Sequence, residues 1–189
     1  MKKNLLISVL MTVVTTVLLG LVYPLVVTGL AQVLFPEKAN GQLIRRNGTV
    51  VTSHIIAQPF VGANYFHPRP SAAGTNGYDA SNSAGSQLGP TNQKLIDRVN
   101  GDVASAQAEN PGKPVPIDMV TTSASGFDPH ITPAAAEFQV PRVAKARGMS
   151  EEAVRALVAR NTQGRQWGFF GEPRVNVLEL NLALDSLAK

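Results

Sequence analysis

The most constraining feature of this sequence is an uncharged stretch that runs from residue 5 to residue 36. Because an α-helix rises about 1.5 Å per residue, roughly 20 apolar residues cross the hydrocarbon layer of a membrane, and this stretch exceeds that length. A cleavable secretory signal has a shorter apolar region, of roughly 7–15 residues, followed by a small-residue cleavage site. Residues 34–37 offer no such site. We therefore predict that residues 1–36 form a short cytoplasmic N-terminus and a transmembrane helix.

The charges near this helix predict its orientation. Lys2 and Lys3 precede it on the short side, and long domains translocate largely regardless of charge. We expect a cytoplasmic N-terminus, with residues 37–189 forming a single periplasmic domain. The sequence contains no cysteine, which agrees with an extracytoplasmic compartment because no thiol is left to oxidise.

The predicted helix also carries residues that are unusual for a plain lipid anchor. Gly20, Pro24 and Thr28 are spaced four apart, and Tyr23 precedes the proline. Small residues at this spacing let a second helix approach closely, and hydroxyl groups can hydrogen-bond across such a contact. Pro24 lacks a backbone donor and is expected to bend the helix near its middle. We predict partner contacts through these four residues; the alternative is an ordinary anchor that tolerates Gly and Pro.

Residues 37–92 predict a hairpin followed by a long loop. Asn47-Gly48 is a strong signal for a two-residue hairpin turn, and we expect the hairpin to lie close to the membrane surface. Residues 59–92 are rich in Gly, Pro, Ser, Asn and Ala, and an irregular segment of this length is usually functional or disordered. Because Tyr65 and Phe66 supply apolar anchors, we expect an ordered loop that packs on a surface or a partner.

The rest of the chain carries mainly helical signals. Apolar residues recur at helical spacing after residue 92, and Thr132, Ser150 and Asn176 stand at N-cap positions ahead of three further helices. Residues 115–121 read as a strand with Pro116 at a sheet edge. The predicted fold class is α+β, with one N-terminal transmembrane helix followed by a single extracytoplasmic domain that is richer in helix than in strand.

Motifs for catalysis are missing from the sequence. It contains no phosphate-binding loop, dinucleotide fingerprint, nucleophile elbow or zinc-protease motif. His54, His67 and His130 are too scattered for metal-ligand spacing, so no metal site is predicted. Asp128 and His130 could pair an acid with a base, but Pro129 between them more simply makes a turn. The net charge of +4 gives no argument for nucleic acid, and an isolated enzyme is disfavoured.

Several long blocks in a fixed order are specific enough to identify a family. They read VYPL at 22–25, YFHPRPSA at 65–72, GSQLGPTN at 85–92, VTTSASGFDPHITPAA at 120–135, QVPRVA at 139–144, GEPRVNVL at 171–178 and LNLAL at 180–184. With these blocks the chain resembles, essentially from end to end, the KdpC family. Members of that family are single-span accessory subunits of bacterial Kdp-type potassium-transporting P-type ATPases.

The resemblance implies a complex in the bacterial inner membrane. Its other members are a channel-like potassium-translocating subunit, a P-type ATP-hydrolysing subunit and a small single-helix subunit. It also implies a non-catalytic chain that acts as a catalytic chaperone, raising the ATP affinity of the hydrolysing subunit. Nucleotide contact, attributed in the family to a glutamine, carries over to Gln139, with no tightly bound cofactor and ATP held in a ternary complex. A glutamine amide can hydrogen-bond a base or ribose but cannot neutralise phosphates.

A structural role is the second mechanism that we expect. The bent anchor would pack on the channel-like subunit while the outer domain sits over the ion entrance. Asp79, Asp128 and Glu172 would bias cations toward the pore, or else serve as turn and cap residues. The loop residues expected to contact a partner are Tyr65, Phe66, His67 and Arg69.

Two other classes of function stay open at this point. A secreted or tethered extracytoplasmic binding protein, unrelated to transport, predicts a mature N-terminus after Ala31. A membrane-tethered hydrolase predicts activity that is lost on changing Asp128 or His130. Transport and ATP hydrolysis are not expected in this chain, because its sequence lacks both a Thr-Val-Gly-Tyr-Gly filter and an Asp-Lys-Thr-Gly-Thr phosphorylation motif.

Overall fold

The computed structural model describes residues 2–46 and 48–187. The chain divides into two compact units, Met1–Ser53 and His54–Lys189. The hairpin segment therefore groups with the apolar helix. The expectation that residues 37–189 form one domain stays a prediction.

The first unit begins with one continuous helical segment, Lys2–Leu34, which is long and apolar enough to cross a membrane. It consists of α1 (Lys2–Thr15), a π-helical segment (Thr16–Val22) and α2 (Tyr23–Leu34). The Tyr23 N–H donates to the carbonyl of Leu18, five residues earlier. A hydrogen bond of this span is that of a π-helix, whose turns are wider than those of an α-helix. Pro24 explains the wider turn, because a proline ring clashes with the carbonyl four residues before it in an α-helix. The disturbance predicted at Pro24 is thus a π-helical segment, while the bend itself stays a prediction.

The predicted hairpin is confirmed in the described residues. A short helix, α3 (Pro36–Ala39), precedes β1 (Leu43–Arg46), which pairs antiparallel with β2 (Thr49–Ser53). The register shifts between Ile44 and Arg45, as a β-bulge does. Gly48 has the positive φ that such a turn requires, whereas Asn47 lies outside the described residues.

The second unit combines five helical segments with a small sheet. The three strands are all antiparallel, in the order β3-β5-β4. The α+β class with more helix than strand is confirmed. In chain order the elements are α4 (Gln93–Glu109), a 3-10 turn (Ile117–Met119), β3 (His130–Ile131), α5 (Pro133–Arg147), α6 (Glu151–Arg160), β4 (Thr162–Gln163), β5 (Arg174–Asn176) and α7 (Val177–Leu187).

The helix boundaries follow local capping chemistry. The side chains of Asn92, Thr132 and Ser150 each accept a hydrogen bond from a backbone N–H in the first turn of α4, α5 and α6. Asn176 does the same for α7, at 3.2 Å. Gly148 ends α5 in the left-handed conformation, with φ of 64°. The predicted N-caps are confirmed.

The predicted strand over residues 115–121 is wrong. Pro114 and Pro116 remove two backbone donors from a sheet ladder, and the chain turns through Ile117–Met119 instead. Asp118 holds this turn, since its buried carboxylate accepts hydrogen bonds from Thr132, from the backbone nitrogen at 2.6 Å and the hydroxyl at 3.1 Å. The strands β3, β4 and β5 of the second unit have two or three residues, which is too short for a periodic pattern.

The core of the second unit lies around α5. Small residues on this helix, including Ala135, Ala136 and Ala144, allow its neighbours to approach closely. The loop side chain Phe66 reaches this core and is 0% exposed. The other large members are Ile131 of β3, Val140 and Val143 of α5, Val154, Leu157 and Val158 of α6, Val175 of β5, and Val177, Leu180 and Leu184 of α7.

Replacing Gly126 with alanine is expected to destabilise this unit more than replacing Gly148 with alanine. Both glycines have positive φ, so both variants incur about 1–2 kcal/mol of backbone strain. At Gly126 the new Cβ would lie 2.5 Å from the Cβ of buried Ala73, whereas nothing lies within 4 Å at Gly148. The clash adds about 1–3 kcal/mol of overpacking. Thermal unfolding of the two variants measures the difference, and equal losses would contradict the close packing at Ala73.

Candidate functional site

The long loop is bound to α7 through a buried side-chain amide. The backbone N–H of Phe66 donates to Asn181 Oδ1 at 2.9 Å, and Asn181 Nδ2 donates to the carbonyl of Phe66 at 2.9 Å. Asn181 is 1% exposed. This amide therefore supplies both hydrogen bonds that a neighbouring strand would make to Phe66.

Gln139 of α5 binds the next loop residue in the same way. The N–H of His67 donates to Gln139 Oε1 at 2.7 Å, and Gln139 Nε2 donates to the carbonyl of His67 at 3.1 Å. Oε1 also accepts from Arg142 at 2.7 Å, and Nε2 also faces the carbonyl of Ala135 at 3.3 Å. Gln139 is 0% exposed. Two helices thus hold two consecutive loop residues through an amide clamp, defined as Gln139 and Asn181.

Arg142 extends this clamp toward the start of the loop. Its guanidinium donates to the carbonyls of Ala63 at 2.7 Å and Tyr65 at 2.8 Å. It also pairs with Glu109 of α4 at 2.7 Å. One half-buried arginine therefore joins α4 and α5 to the loop, and its positive charge is matched by a carboxylate.

Arg147 binds the same part of the loop from the end of α5. It donates to the carbonyl of Asn64 at 2.6 Å and pairs with Asp185 of α7 at 2.8 Å. Its guanidinium carbon lies 4.9 Å from the ring centroid of Tyr65, and the Tyr65 hydroxyl donates to Asp185 at 3.2 Å. Tyr65 thus contributes a cation–π contact and a hydrogen bond to its own unit.

Arg69 connects the loop to residues 121–130. It donates to the carbonyl of Thr122 at 3.3 Å and to the hydroxyl of Thr121 at 3.2 Å, and it pairs with Asp128 at 3.3 Å. Asp128 also accepts from the backbone nitrogen of His130 at 3.0 Å. Burial by itself raises the pKa of Asp128, but the hydrogen bonds and charge of His130 and the charge of Arg69 outweigh it and hold the pKa below its usual value.

Ser71 and Tyr78 add further hydrogen bonds to this part of the loop. Ser71 Oγ donates to the carbonyl of Gly126 at 2.8 Å and accepts from the N–H of Tyr78 at 2.8 Å. The Tyr78 hydroxyl donates to the carbonyl of Arg69 at 2.6 Å, and burial raises the pKa of Tyr78 to about 12. The loop is therefore ordered and packed against its own unit, as expected from its apolar anchors.

Asp128 and His130, which the hydrolase alternative requires, do lie together. They line a cavity of about 350 Å³ that also includes Arg69 and Glu172. Within residues 54–187, no Ser or Thr hydroxyl hydrogen-bonds to the His130 ring, so no hydroxyl there is placed for activation by this pair. The geometry fits a turn stabilised by an ion pair.

The three carboxylates expected to attract cations each have a local partner. Asp79 accepts from the backbone nitrogen and hydroxyl of Ser81, at 3.0 and 2.7 Å. Glu172 pairs with Arg165 at 2.5 Å, and Asp128 pairs with Arg69. Asp79 and Asp128 each accept from a backbone nitrogen two residues on, which matches the alternative of turn residues, whereas Glu172 is held in an ion pair. An effect on cations stays a prediction.

The predicted partner-contact residues fall into different environments. Phe66 belongs to the core of its own unit, and a partner could reach it only if it left that core. Tyr65, His67 and Arg69 are half-buried and keep some exposed surface. Gly20, Tyr23, Pro24 and Thr28 are exposed, as are nearly all residues of the apolar helix.

The π-helical segment changes how the residues of the apolar helix are arranged. Small and polar residues recur at every fourth position of this helix, from Thr12 to Gln32. In a regular α-helix, side chains four residues apart differ in direction by about 40° around the helix axis. The five steps of this series would therefore spread the side chains over about 200°. A π turn contains more residues than an α turn and therefore rotates less per residue. The π-helical segment offsets part of this spread and keeps the set nearer one face. We call this set the four-spaced stripe: Thr12, Thr16, Gly20, Pro24, Thr28 and Gln32.

Sequence reasoning did not single out Asn181, Arg142 or Arg147 as functional residues. Asn181 and Arg142 occur in the family-like blocks, but nothing in their spacing relates them to Phe66 or Tyr65. Only the packing of α5 and α7 against the loop brings these side chains together.

A long apolar helix joined to a polar α+β unit is the organisation of a single-span membrane protein. The family model described as "KdpC: K+-transporting ATPase, c chain" matches residues 5–186. The chain belongs to the KdpC family.

Three relatives share most of their length with this chain, and each bears the name "Potassium-transporting ATPase KdpC subunit". The protein of Koribacter versatilis strain Ellin345 is 72% identical over 185 residues, covering 98% of this chain and 95% of its own length. That of Rhodospirillum rubrum is 60% identical over 172 residues, covering 90% and 89%. That of Acidobacterium capsulatum is 57% identical over 180 residues, covering 95% and 96%.

Replacing Gln139 with leucine is expected to destabilise the second unit by about 2 kcal/mol or more, because the N–H and carbonyl of His67 lose their partners inside the protein. Replacing Gln107, an exposed glutamine of α4, with leucine is the matched control and is expected to change stability by less than about 0.5 kcal/mol. Denaturant unfolding measures both. Equal midpoints for the two variants would contradict the amide clamp.

Stability is expected to fall as the pH drops from neutral through the ordinary pKa of histidine. Burial lowers the pKa of His67, and the charge of Arg142 lowers it further, against opposing effects of Gly62 and Glu109. The unfolded chain therefore binds this proton more readily than the folded chain, and protonation favours unfolding. Thermal unfolding between pH 7.5 and 5.5 should show a weaker pH dependence for His67→Gln than for the unchanged chain. Identical slopes would exclude His67 as the source.

Proposed function

We propose that this chain is a non-transporting accessory subunit of an ATP-driven potassium uptake complex in the bacterial inner membrane. In this proposal it assembles and stabilises the complex and carries out neither transport nor ATP hydrolysis itself. Its partners are the channel-like, ATP-hydrolysing and small single-helix subunits. Membership of the KdpC family and the names of the close relatives support the proposal.

The observation that carries an assembly role is the four-spaced stripe. It places Gly20, Pro24 and Thr28 near one face of a helix whose other residues are mainly Leu and Val. Lipid chains are as apolar as leucine, so close packing and hydrogen bonds drive helix association in a membrane. A glycine and threonine hydroxyls supply both. We propose that this face packs on the channel-like subunit.

The second unit is proposed to lie on the periplasmic side, over the ion entrance. A role in contacting a partner subunit is supported by the number of hydrogen bonds that hold the loop in place. Residues 63–67 are bound through backbone groups by Arg142, Arg147, Gln139 and Asn181. A surface fixed in this way loses little conformational entropy when a partner binds.

A catalytic-chaperone role with raised ATP affinity is part of the proposal, through assembly rather than through direct nucleotide contact. Both polar atoms of the Gln139 amide are already engaged by His67 and Arg142, and the side chain is buried. A nucleotide contact at Gln139 stays a prediction, and it would require this side chain to leave partners whose loss is costly.

Replacing Gly20 and Thr28 together with leucine is expected to reduce co-purification with the partner subunits several-fold, because the larger side chains hold a neighbouring helix away and one hydroxyl is lost. The matched control replaces Val22 and Val26 with leucine, since these positions point away from the stripe. Pull-down of the complex from detergent extracts, with the amount of membrane-inserted chain measured in parallel, checks the result. Undiminished assembly of the Gly20/Thr28 variant would overturn the helix-contact proposal.

A further inference from the structure

The connection between β4 and β5 exposes three aromatic side chains that the function proposed above does not use. Trp167 is 85% exposed, Phe169 is 64% exposed and Phe170 is 53% exposed. Every other aromatic side chain in the described part of this unit is buried or half-buried. We call residues 166–170 the aromatic turn.

The aromatic turn has a defined shape. The N–H of Gln166 donates to the carbonyl of Phe170 at 2.8 Å, and the N–H of Phe170 donates to the carbonyl of Gln166 at 2.9 Å. The Phe170 ring centroid lies 5.9 Å from that of Trp167 and 4.3 Å from that of Phe169. Because all residues from 163 to 173 are exposed, the turn projects from the unit with its rings grouped at the tip.

Folding stability does not explain this arrangement. Trp167 adopts a φ of 52°, a left-handed conformation that is unfavourable for a non-glycine residue. Its ring also gains little from burial, although aromatic side chains stabilise proteins mainly by leaving water. Strained residues and exposed apolar patches with a polar rim are both typical of interaction sites.

The size and composition of the aromatic turn favour a lipid surface over a protein surface. Three aromatic side chains bury at most roughly 450–750 Å², which is less than the roughly 800 Å² per partner of a stable protein interface. Glycines and polar residues, Glu172 among them, flank the rings along the chain. Trp and Phe beside Arg165 and Arg174 match the amphipathic composition of residues at a membrane interface.

We propose that the aromatic turn inserts into the boundary between headgroups and acyl chains of a phospholipid bilayer, as a second membrane contact besides the apolar helix. This inference rests on the membrane location included in the proposed function. The rings enter the acyl boundary, and the two arginines remain among the phosphates. The contact would limit the orientations that the second unit can adopt.

Trp167 is the only tryptophan of the chain, so its fluorescence reports on the turn alone. The full-length chain is reconstituted into phosphatidylcholine vesicles whose acyl chains carry bromine at a shallow or a deep position, and into vesicles without bromine. We expect a several-fold loss of emission with bromine, stronger for the shallow position, and weak quenching by acrylamide from the water. Trp167 emission that is not quenched by bromine but is freely quenched by acrylamide would overturn the proposal.

Two variants serve as controls. Replacing Phe169 and Phe170 with serine keeps the fluorophore and should reduce bromine quenching several-fold. The double variant Trp167→Phe with Val61→Trp moves the fluorophore to a loop position that is 87% exposed and should show little bromine quenching. Equal quenching at Val61 would mean nonspecific contact with lipid and would also overturn the proposal.

Two further measurements separate this proposal from its premises. Retention of the chain in vesicles after an alkaline wash tests whether the apolar helix anchors the chain. A chain that is retained but not quenched by bromine would contradict only the insertion of the aromatic turn. A chain that is washed off would contradict membrane anchoring itself. In the assembled complex, protection of Trp167 from both bromine and acrylamide would mean that the turn binds a protein subunit, which also overturns insertion into lipid.

Discussion

The second unit depends on how a long irregular segment satisfies its backbone once it is buried. Backbone N–H and carbonyl groups away from water need partners, and residues 63–68 have no neighbouring strand. Asn181 and Gln139 supply those partners, one residue each, from two different helices. Phe66 can then fill the core between these helices, since its backbone loses no hydrogen bonds on entering. The position of this loop, and with it the half-buried surface of Tyr65, His67 and Arg69, follows from these two amides.

This arrangement bears on what the unit contributes to a larger assembly. Gln139, which the family resemblance associates with ATP, is a central member of the clamp, and its neighbours Arg142 and His67 depend on it. An influence on nucleotide affinity is therefore easier to account for through the assembly of subunits than through direct binding. Two exposed features of the described residues differ from this buried clamp. They are the four-spaced stripe in the apolar helix and the aromatic turn in the second unit, and both have the composition of surfaces that meet lipid or membrane-embedded helices.

Features determined by a few neighbouring residues were predictable. The N-caps at Thr132, Ser150 and Asn176 were predicted because the cap and the N–H that it binds lie within three residues of each other. The strand predicted over residues 115–121, with Pro116 at a sheet edge, did not form, in part because Asp118 is held by Thr132, a contact that local sequence does not reveal. The order of the long loop was predicted from its aromatic residues. The residues that bind it were not, since they follow more than 70 positions later.

By itself the sequence determined the apolar helix, the capped helices, the α+β class and the family, because each depends on composition, short-range spacing or ordered blocks of residues. Only the tertiary structure decided that Gln139 and Asn181 bind the loop backbone, that Phe66 is a core residue, and that Trp167, Phe169 and Phe170 share an exposed tip. Side chains distant in sequence become partners only when the packing of α5, α7 and the small sheet brings them within hydrogen-bonding distance. The exposure of a ring likewise depends on every element that could have covered it.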